Sequence, residues 1–296
     1  MALVHLLVNP AARQGQRHQA VATRLEAAGC QVVPIRPLSV AGIRPALEQA
    51  LRAGVLERLI VVGGDGLLHH TLPAVAGTDV VVAVIPTGTG NDFGRAMRLP
   101  TSLDQAVRAA LGPPRAVDLI SAPGGAYAAS VVTAGFSSLA NAAADRFPRA
   151  LGGQRYTLGA LAALPRLAPF PVTIGLDGDG SGRACFSHEA VLVAVANTRC
   201  FGAGMAIAPD ADPTDGRLDV VVIGAVSWFT FTRMLPTVFF GRHVDHPAVT
   251  TYRAEEVSVA IDAQMWADGE RFVPGPYRAA HRALRLAGTL AVVPRG

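Results

Sequence analysis

Two short glycine-rich turns, Gly63-Gly64-Asp65-Gly66 and Pro86-Thr87-Gly88-Thr89-Gly90-Asn91-Asp92, lie about twenty residues apart. Each follows a β-branched run, Leu59-Ile60-Val61-Val62 before the first and Val80-Val81-Val82-Ala83-Val84-Ile85 before the second, and each leads into a helical pattern. Glycine lets a backbone approach a ligand closely, and the exposed amides of a helix start favour an anion. Each turn also carries one carboxylate, Asp65 or Asp92. Amides for phosphate oxygens and carboxylates for a hard divalent cation are what a nucleotide–metal complex needs.

The basic residues narrow the chemistry. All 26 are arginine, and the 296-residue chain contains no lysine. A Walker A loop, which ends in Gly-Lys-Ser/Thr, is therefore excluded, and so is a lysine Schiff base. Neither turn has the G-x-G-x-x-G spacing of a dinucleotide fingerprint. Phosphate charge must be met by backbone amides, arginine or a metal.

The elements that position these turns alternate in type. The pattern predicts a strand over Leu3–Val8, a helix over Gln16–Ala28 and a strand over Gln31–Ile35. A helix over Ile43–Ala53, the two strand–turn–helix units and a helix over Leu103–Leu111, stopped by Gly112-Pro113-Pro114, follow. Such alternation implies an α/β N-terminal domain, a parallel sheet with helices on both faces, in which ligands sit at the carboxyl ends of the strands. Beyond Pro114, the runs Tyr127–Ala134, Val172–Leu176, Ala190–Ala196, Leu218–Ile223 and Val257–Ile261 read as short strands of a C-terminal antiparallel β-sandwich. Helical interruptions are expected at Gln154–Leu167 and Trp228–Phe240, and a hairpin turn at 177–182.

Bulk properties bound the partners. Half of the residues are hydrophobic and the formal net charge is +4, compatible with anionic headgroups or nucleotides. No basic run interleaved with aromatics points to nucleic acid. Three scattered cysteines, Cys30, Cys185 and Cys200, fit a reducing compartment. The apolar start is short, lacks a basic flank and reads as a strand, and no apolar stretch reaches membrane-spanning length. Two further patterns carry no metal reading. Asp177-x-Asp179-x-Ser181-Gly182 opens like a calcium loop but has His188 at its twelfth position, and His243-x-x-His246 lacks neighbouring cysteine or histidine ligands.

Taken in order, Gly63–Gly66 and Pro86–Phe93 resemble the signature of the diacylglycerol kinase catalytic-domain superfamily, which includes diacylglycerol, sphingosine and ceramide kinases. The resemblance continues through Asn9-Pro10, Val117-Asp118-Leu119, the run from Gly204-Met205 to Asp219, and Asp268-Gly269-Glu270. A lone Gly-Gly-Asp-Gly is shared with NAD kinases and phosphofructokinases; the ordered set is more specific.

The resemblance implies an NAD kinase/phosphofructokinase-like nucleotide domain over 1–114, completed by about 284–296, and a lipid-binding β-sandwich over 115–283. It implies nucleotide contacts from Asn9, Pro10, Gly63, Gly64, Gly66, Thr89 and Asn91, and catalytic-metal carboxylates from Asp65, Asp92 and Asp118. It also implies Glu270 as general base, and a second magnesium held by the carbonyls of Asp212 and Arg217 with the Asp215 carboxylate. The donor would be ATP with magnesium and the acceptor a lipid hydroxyl at the membrane surface. The enzyme would be cytoplasmic and peripheral to the membrane, with its active site between the domains, and a homodimer is allowed.

Departures from the family fall at Leu67, His69 and His70, where a threonine and an Asn-Glu pair are usual, near Arg36-Pro37, and at Ser137. They leave the glycines and Asp65 in place and remove side chains that serve nucleotide binding in the family. A nucleotide- or lipid-binding pseudokinase is the non-enzyme alternative. An NAD kinase is the other enzyme reading, opposed by Pro86–Phe93 and the Asp-Gly-Glu turn.

Overall fold

The structure is a computed structural model that describes residues 2–9, 15–148, 151, 154–177, 184–202 and 204–287. The chain divides into two compact units, Met1–Val117 with Arg282–Gly296, and Asp118–His281.

The first unit is built on a parallel sheet of β1 (Ala2–Leu7), β2 (Cys30–Ile35), β3 (Arg58–Gly63) and β4 (Val81–Pro86). β1 lies between β2 and β3, and β3 pairs with β4. The last described strand adds Arg285–Ala287 in parallel beside Val81–Ala83. The strands are nearly continuous hydrophobic runs because both faces are covered. Val4, Leu6, Ile60, Val62, Ala83 and Ile85 share one cluster with side chains of α1 (Gly15–Ala27) and α5 (Leu103–Ala110). α2 (Ile43–Arg52) packs on α3 (Asp65–Val75), and α1 packs on α5. The helix-on-both-faces architecture is thus present, with helix ends differing from expectation by one residue where the terminal turns fray.

The second unit is mainly antiparallel. Its strands are β5 (Arg115–Ala122), which begins in the first unit, β6 (Ala126–Ala128), β7 (Val131–Gly135), β8 (Phe170–Asp177), β9 (Ala184–Ala196) and β10 (Leu218–Gly224). They are followed by β11 (Val249–Ala254), β12 (Glu256–Ala260), β13 (Met265–Ala267), β14 (Glu270–Phe272) and β15 (Pro276–Ala287). β9 organises the unit. Its first half pairs with β8, and its second half lies between β7 and β10. Alternation along β9 feeds two cores: Val193 and Val195 pack on one side, Leu192, Ala194 and Ala196 on the other. The second core is closed by Phe136 of α6 (Phe136–Ala144), Ala163 of α7 (Gln154–Ala163) and Phe231, Met234 and Val238 of α8 (Trp228–Val238).

One expectation is corrected and two elements are added. Tyr127–Ala134 is not one strand: β6 and β7 break at Ala129 and Ser130, whose N–H groups both donate to the Asp268 carboxylate, at 2.9 and 3.0 Å. Phe136–Ala144, unassigned from sequence, is a helix begun by Gly135 at φ +85. β15, also unassigned, carries Arg278, His281, Arg282 and Arg285, which interrupt its hydrophobic pattern. The expected 177–182 turn lies almost wholly outside the described residues, although β8 and β9 on either side of it pair antiparallel.

The two histidines of the rejected zinc pattern serve the backbone. His243 is buried and bonds the Ile207 carbonyl through Nε2 at 3.0 Å; His246 Nδ1 accepts the Ala248 N–H. Burial lowers the pKa of His243 and of His5 in β1. Each is harder to protonate in the fold than in the unfolded chain, where histidine titrates near 6.5, so their contribution to stability is present above that pH and is lost as pH falls below it. Calorimetry should show a lower melting temperature at pH 5.5 than at pH 7.5, and His243→Asn should shrink that difference.

Candidate active site

In the first unit the two glycine turns interlock. β3 ends at Gly63, Gly64 is extended, and α3 begins at Asp65 with Gly66 in its first turn. The second turn leaves β4 at Pro86 and enters α4 (Asp92–Ala96). The Asp65 carboxylate accepts the N–H groups of Asp92 at 2.9 Å and Phe93 at 3.1 Å. It thereby caps α4 from the neighbouring turn, the usual use of an acid at a helix start. Gly64 and Gly88 meet backbone to backbone: a Cβ on Gly88 would stand 2.6 Å from the Gly64 Cα. Here glycine is required by the contact between loops.

The nucleotide-contact candidates sit along this pair of turns. Asn91, left-handed at φ 51, accepts the Gly88 N–H at 2.9 Å and donates Nδ2 to the Gly88 carbonyl at 2.7 Å. Its side chain therefore shapes the turn. Thr89 is exposed at the tip. Asn9, just past β1, donates its N–H to His18 Nε2 at 3.3 Å; Pro10 lies outside the described residues. Leu67, on α3, is buried under Gly63, and His69 and His70 stack edge to face.

Asp65 and Asp92 converge. One oxygen of each lies within 3.6 Å of the point a Cβ on Gly90 would occupy. Two carboxylates converging over a bare glycine, beside a helix start, fit a hard cation carrying phosphates.

Asp118 lies in the second unit and is fully buried. Its carboxylate accepts the Gly216 N–H at 2.7 Å and meets His281 Nδ1 at 3.0 Å, while its N–H donates to the Pro213 carbonyl. It is thus tied into the loop carrying the second set of metal candidates. In that loop Asp212 accepts the Thr214 N–H and hydroxyl, and Asp215 accepts the Arg217 N–H and pairs with Arg253.

Asp219, at the start of β10, is the acid that the candidate set omitted. Burial, with Asp210 and Asp212 nearby, pushes its pKa up to about 6. Arg253 approaches it at 3.9 Å, too far for a hydrogen bond, so its Oδ2 is buried without one. An orphaned buried carboxylate oxygen with other acids nearby fits a bound divalent cation. Among the described residues no three His, Cys, Asp or Glu side chains form a ligand cluster, so carbonyls would have to complete such a site.

Glu270 opens β14 directly after a two-residue hairpin. Asp268 and Gly269 both have positive φ, 52 and 89, as the tight turn joining β13 to β14 requires. Asp268 pins that turn to the β6–β7 break, so the glutamate is set on a doubly anchored hairpin.

Comparison with known proteins finds family matches along both parts of the chain. Residues 3–122 match the diacylglycerol kinase catalytic domain, and residues 130–294 match the YegS C-terminal NAD kinase beta sandwich-like domain. A diacylglycerol kinase of Mycobacterium tuberculosis is 35% identical over 284 residues, covering 92% of this chain and 90% of that protein. A diacylglycerol kinase of Bacillus subtilis is 28% identical over 250 residues, covering 81% and 80%. The crystal structure of a diacylglycerol kinase from Bacillus anthracis str. Sterne shares the fold, with a TM-score of 0.72 at 20% identity over 99% of this chain and 98% of that one.

Proposed function

The chain belongs to the family of diacylglycerol kinases and YegS-like lipid kinases, and from that premise we propose that it transfers the γ-phosphate of ATP to a hydroxyl of diacylglycerol or a related lipid. The observation that carries this reading is the interlock of the two glycine turns, with Asp65 and Asp92 converging over Gly90.

Phosphoryl transfer is mostly positioning and electrostatic stabilisation. In this reading the amides of Gly64, Asp65 and Gly66 face the phosphates, and Thr89 and Asn9 border the nucleotide. Asp65 and Asp92 would hold magnesium, which neutralises phosphate charge when bound. Glu270 accepts the proton of the lipid hydroxyl. Asp118, buried and hydrogen-bonded, acts through the 212–217 loop as a positioning residue. Asp215 and Asp219, with the carbonyls of Asp212 and Arg217, are proposed to hold the second cation. Magnesium should then raise the melting temperature of the protein without nucleotide, and Asp215→Ala should remove that rise in a thermal-shift titration.

The deciding experiment incubates the purified protein with labelled ATP, magnesium and a mixed lipid extract. Label in phosphatidic acid or another phospholipid supports the reading. Nucleotide binding with no labelled lipid favours the pseudokinase, which the replacement of the family's threonine, asparagine and glutamate by Leu67, His69 and His70 makes the specific alternative.

A further inference from the structure

α8 is hydrophobic on both of its sides. Phe231, Met234 and Val238 are buried in the second core, which fixes the helix on its unit. Away from the core, the helix presents Trp228 at 62% exposure and Phe229 at 55%, and the turn after it presents Phe239 at 53% and Phe240 at 78%. At helical spacing Trp228 and Phe229 share one side with Thr232, Arg233 and Pro236, while Phe239 and Phe240 follow in the turn that closes the helix. Among the described residues only one other aromatic, Phe186, is a comparably exposed large hydrophobic. A globular helix ordinarily turns a polar face to water, so a fixed, exposed aromatic face marks an interaction surface.

The charges around it select the occupant. Residues 225–244 contain no Asp or Glu but include Arg233 and Arg242, both exposed. Arg233 lies over the Phe229 ring at 5.6 Å. α8 also packs on the 3-10 turn Leu164–Arg166, which adds exposed Arg166 and follows exposed Leu161 of α7. Tryptophan and phenylalanine with exposed Arg166, Arg233 and Arg242 near them, and with Asp245 as the exposed acid of the 3-10 turn Arg242–Asp245 that also packs on α8, match the boundary of an anionic bilayer, where aromatic rings settle and cations meet lipid phosphates.

We propose that the outward face of α8 and the turn after it dock on an anionic lipid bilayer, with Trp228, Phe229, Phe239 and Phe240 entering the interface. The proposal rests on the lipid-kinase reading only for the purpose of docking; the binding itself is independent of catalysis.

The chain has two tryptophans, so Trp266→Phe leaves Trp228 as the sole indole reporter. Without nucleotide, this protein is mixed with phosphatidylcholine vesicles with or without 30% phosphatidylglycerol, some carrying bromine on the acyl chains. The expected result is a blue shift and quenching of Trp228 by the anionic brominated vesicles. Phe229→Ser and Phe240→Ser should each weaken partitioning about tenfold, from the apolar area that no longer enters the interface. Arg233→Glu should weaken binding to anionic vesicles more than to neutral ones. Circular dichroism checks that each variant keeps its fold.

Unquenched Trp228 overturns the proposal. So does a blue shift that instead follows protein concentration without vesicles, accompanied by dimer in sedimentation, because the face then meets a second copy. If vesicles quench Trp228 while no lipid is phosphorylated, docking stands and the kinase reading falls. If bilayer lipid is phosphorylated with Trp228 unquenched, the reverse holds.

Discussion

Glu270→Gln should lower lipid phosphorylation by roughly 10²–10⁴, or about 3–5 kcal/mol of barrier. A lipid hydroxyl is a poor nucleophile, and a fixed carboxylate can take its proton as the phosphoryl group arrives. The hairpin makes this a clean substitution. Asp268 and Gly269 supply the positive-φ turn, and the Asp268 carboxylate holds it to Ala129 and Ser130. Glutamine keeps the volume and the strand position of residue 270. ATP affinity and melting temperature should therefore stay near wild type while turnover collapses. Wild-type turnover in Glu270→Gln, in a preparation with demonstrable kinase activity, rejects the base assignment.

Asp65→Asn should behave differently for a reason that only the structure reveals. Its two oxygens accept the N–H groups of Asp92 and Phe93. Asparagine presents an NH2 group to one of them, so α4 loses part of its cap, at a cost of about 1 kcal/mol. The variant should lose magnesium-dependent nucleotide affinity and some stability together. Calorimetry of ATP binding beside thermal unfolding separates this double effect from the single effect at Glu270.

The parallel sheet was legible because it is written locally. Strands β3 and β4 are aliphatic runs rich in valine and isoleucine, and each is followed by a glycine turn with a carboxylate at the helix start. The Asp-Gly turn before Glu270 was legible for the same reason. The sandwich was harder, because its order depends on distant partners. The break at Ala129-Ser130 is caused by a carboxylate 139 residues away from Ala129 in sequence, and nothing in Ala128-Ala129-Ser130-Val131 announces it. β15 was hidden by four basic residues on a strand that enters both units. The environment of Asp219 was hidden too: its raised pKa comes from burial and from Asp210 and Asp212, which only the folded loop assembles. Asp118 reads from sequence as one more acid beside Asp65 and Asp92, yet its carboxylate is committed to Gly216 and His281.

The same distinction between local and assembled signals gives the last expectation, at Gly88. In sequence it is one glycine of a flexible-looking Pro-Thr-Gly-Thr-Gly turn. In the fold a methyl group there would lie 2.6 Å from the Gly64 Cα, 2.9 Å from the Asn91 Oδ1 and 3.2 Å from the Gly64 nitrogen. Two of these three are backbone atoms of the partner turn, which cannot swing aside as a side chain would. Gly88→Ala must therefore separate the turns and disturb the Asp65 bonds to α4. Overpacking of this kind costs about 1–3 kcal/mol. Because the phosphate-facing amides belong to the displaced loops, ATP affinity should fall roughly tenfold or more, each tenfold corresponding to about 1.4 kcal/mol. Thr89→Ala, an exposed change one residue on, should leave stability within about 0.5 kcal/mol and so serves as the control for stability alone, since Thr89 borders the nucleotide in this reading. If Gly88→Ala melts with wild type and binds ATP as tightly, the interlocked turns are not the nucleotide site, and the assignment of Gly63, Gly64 and Gly66 falls with them.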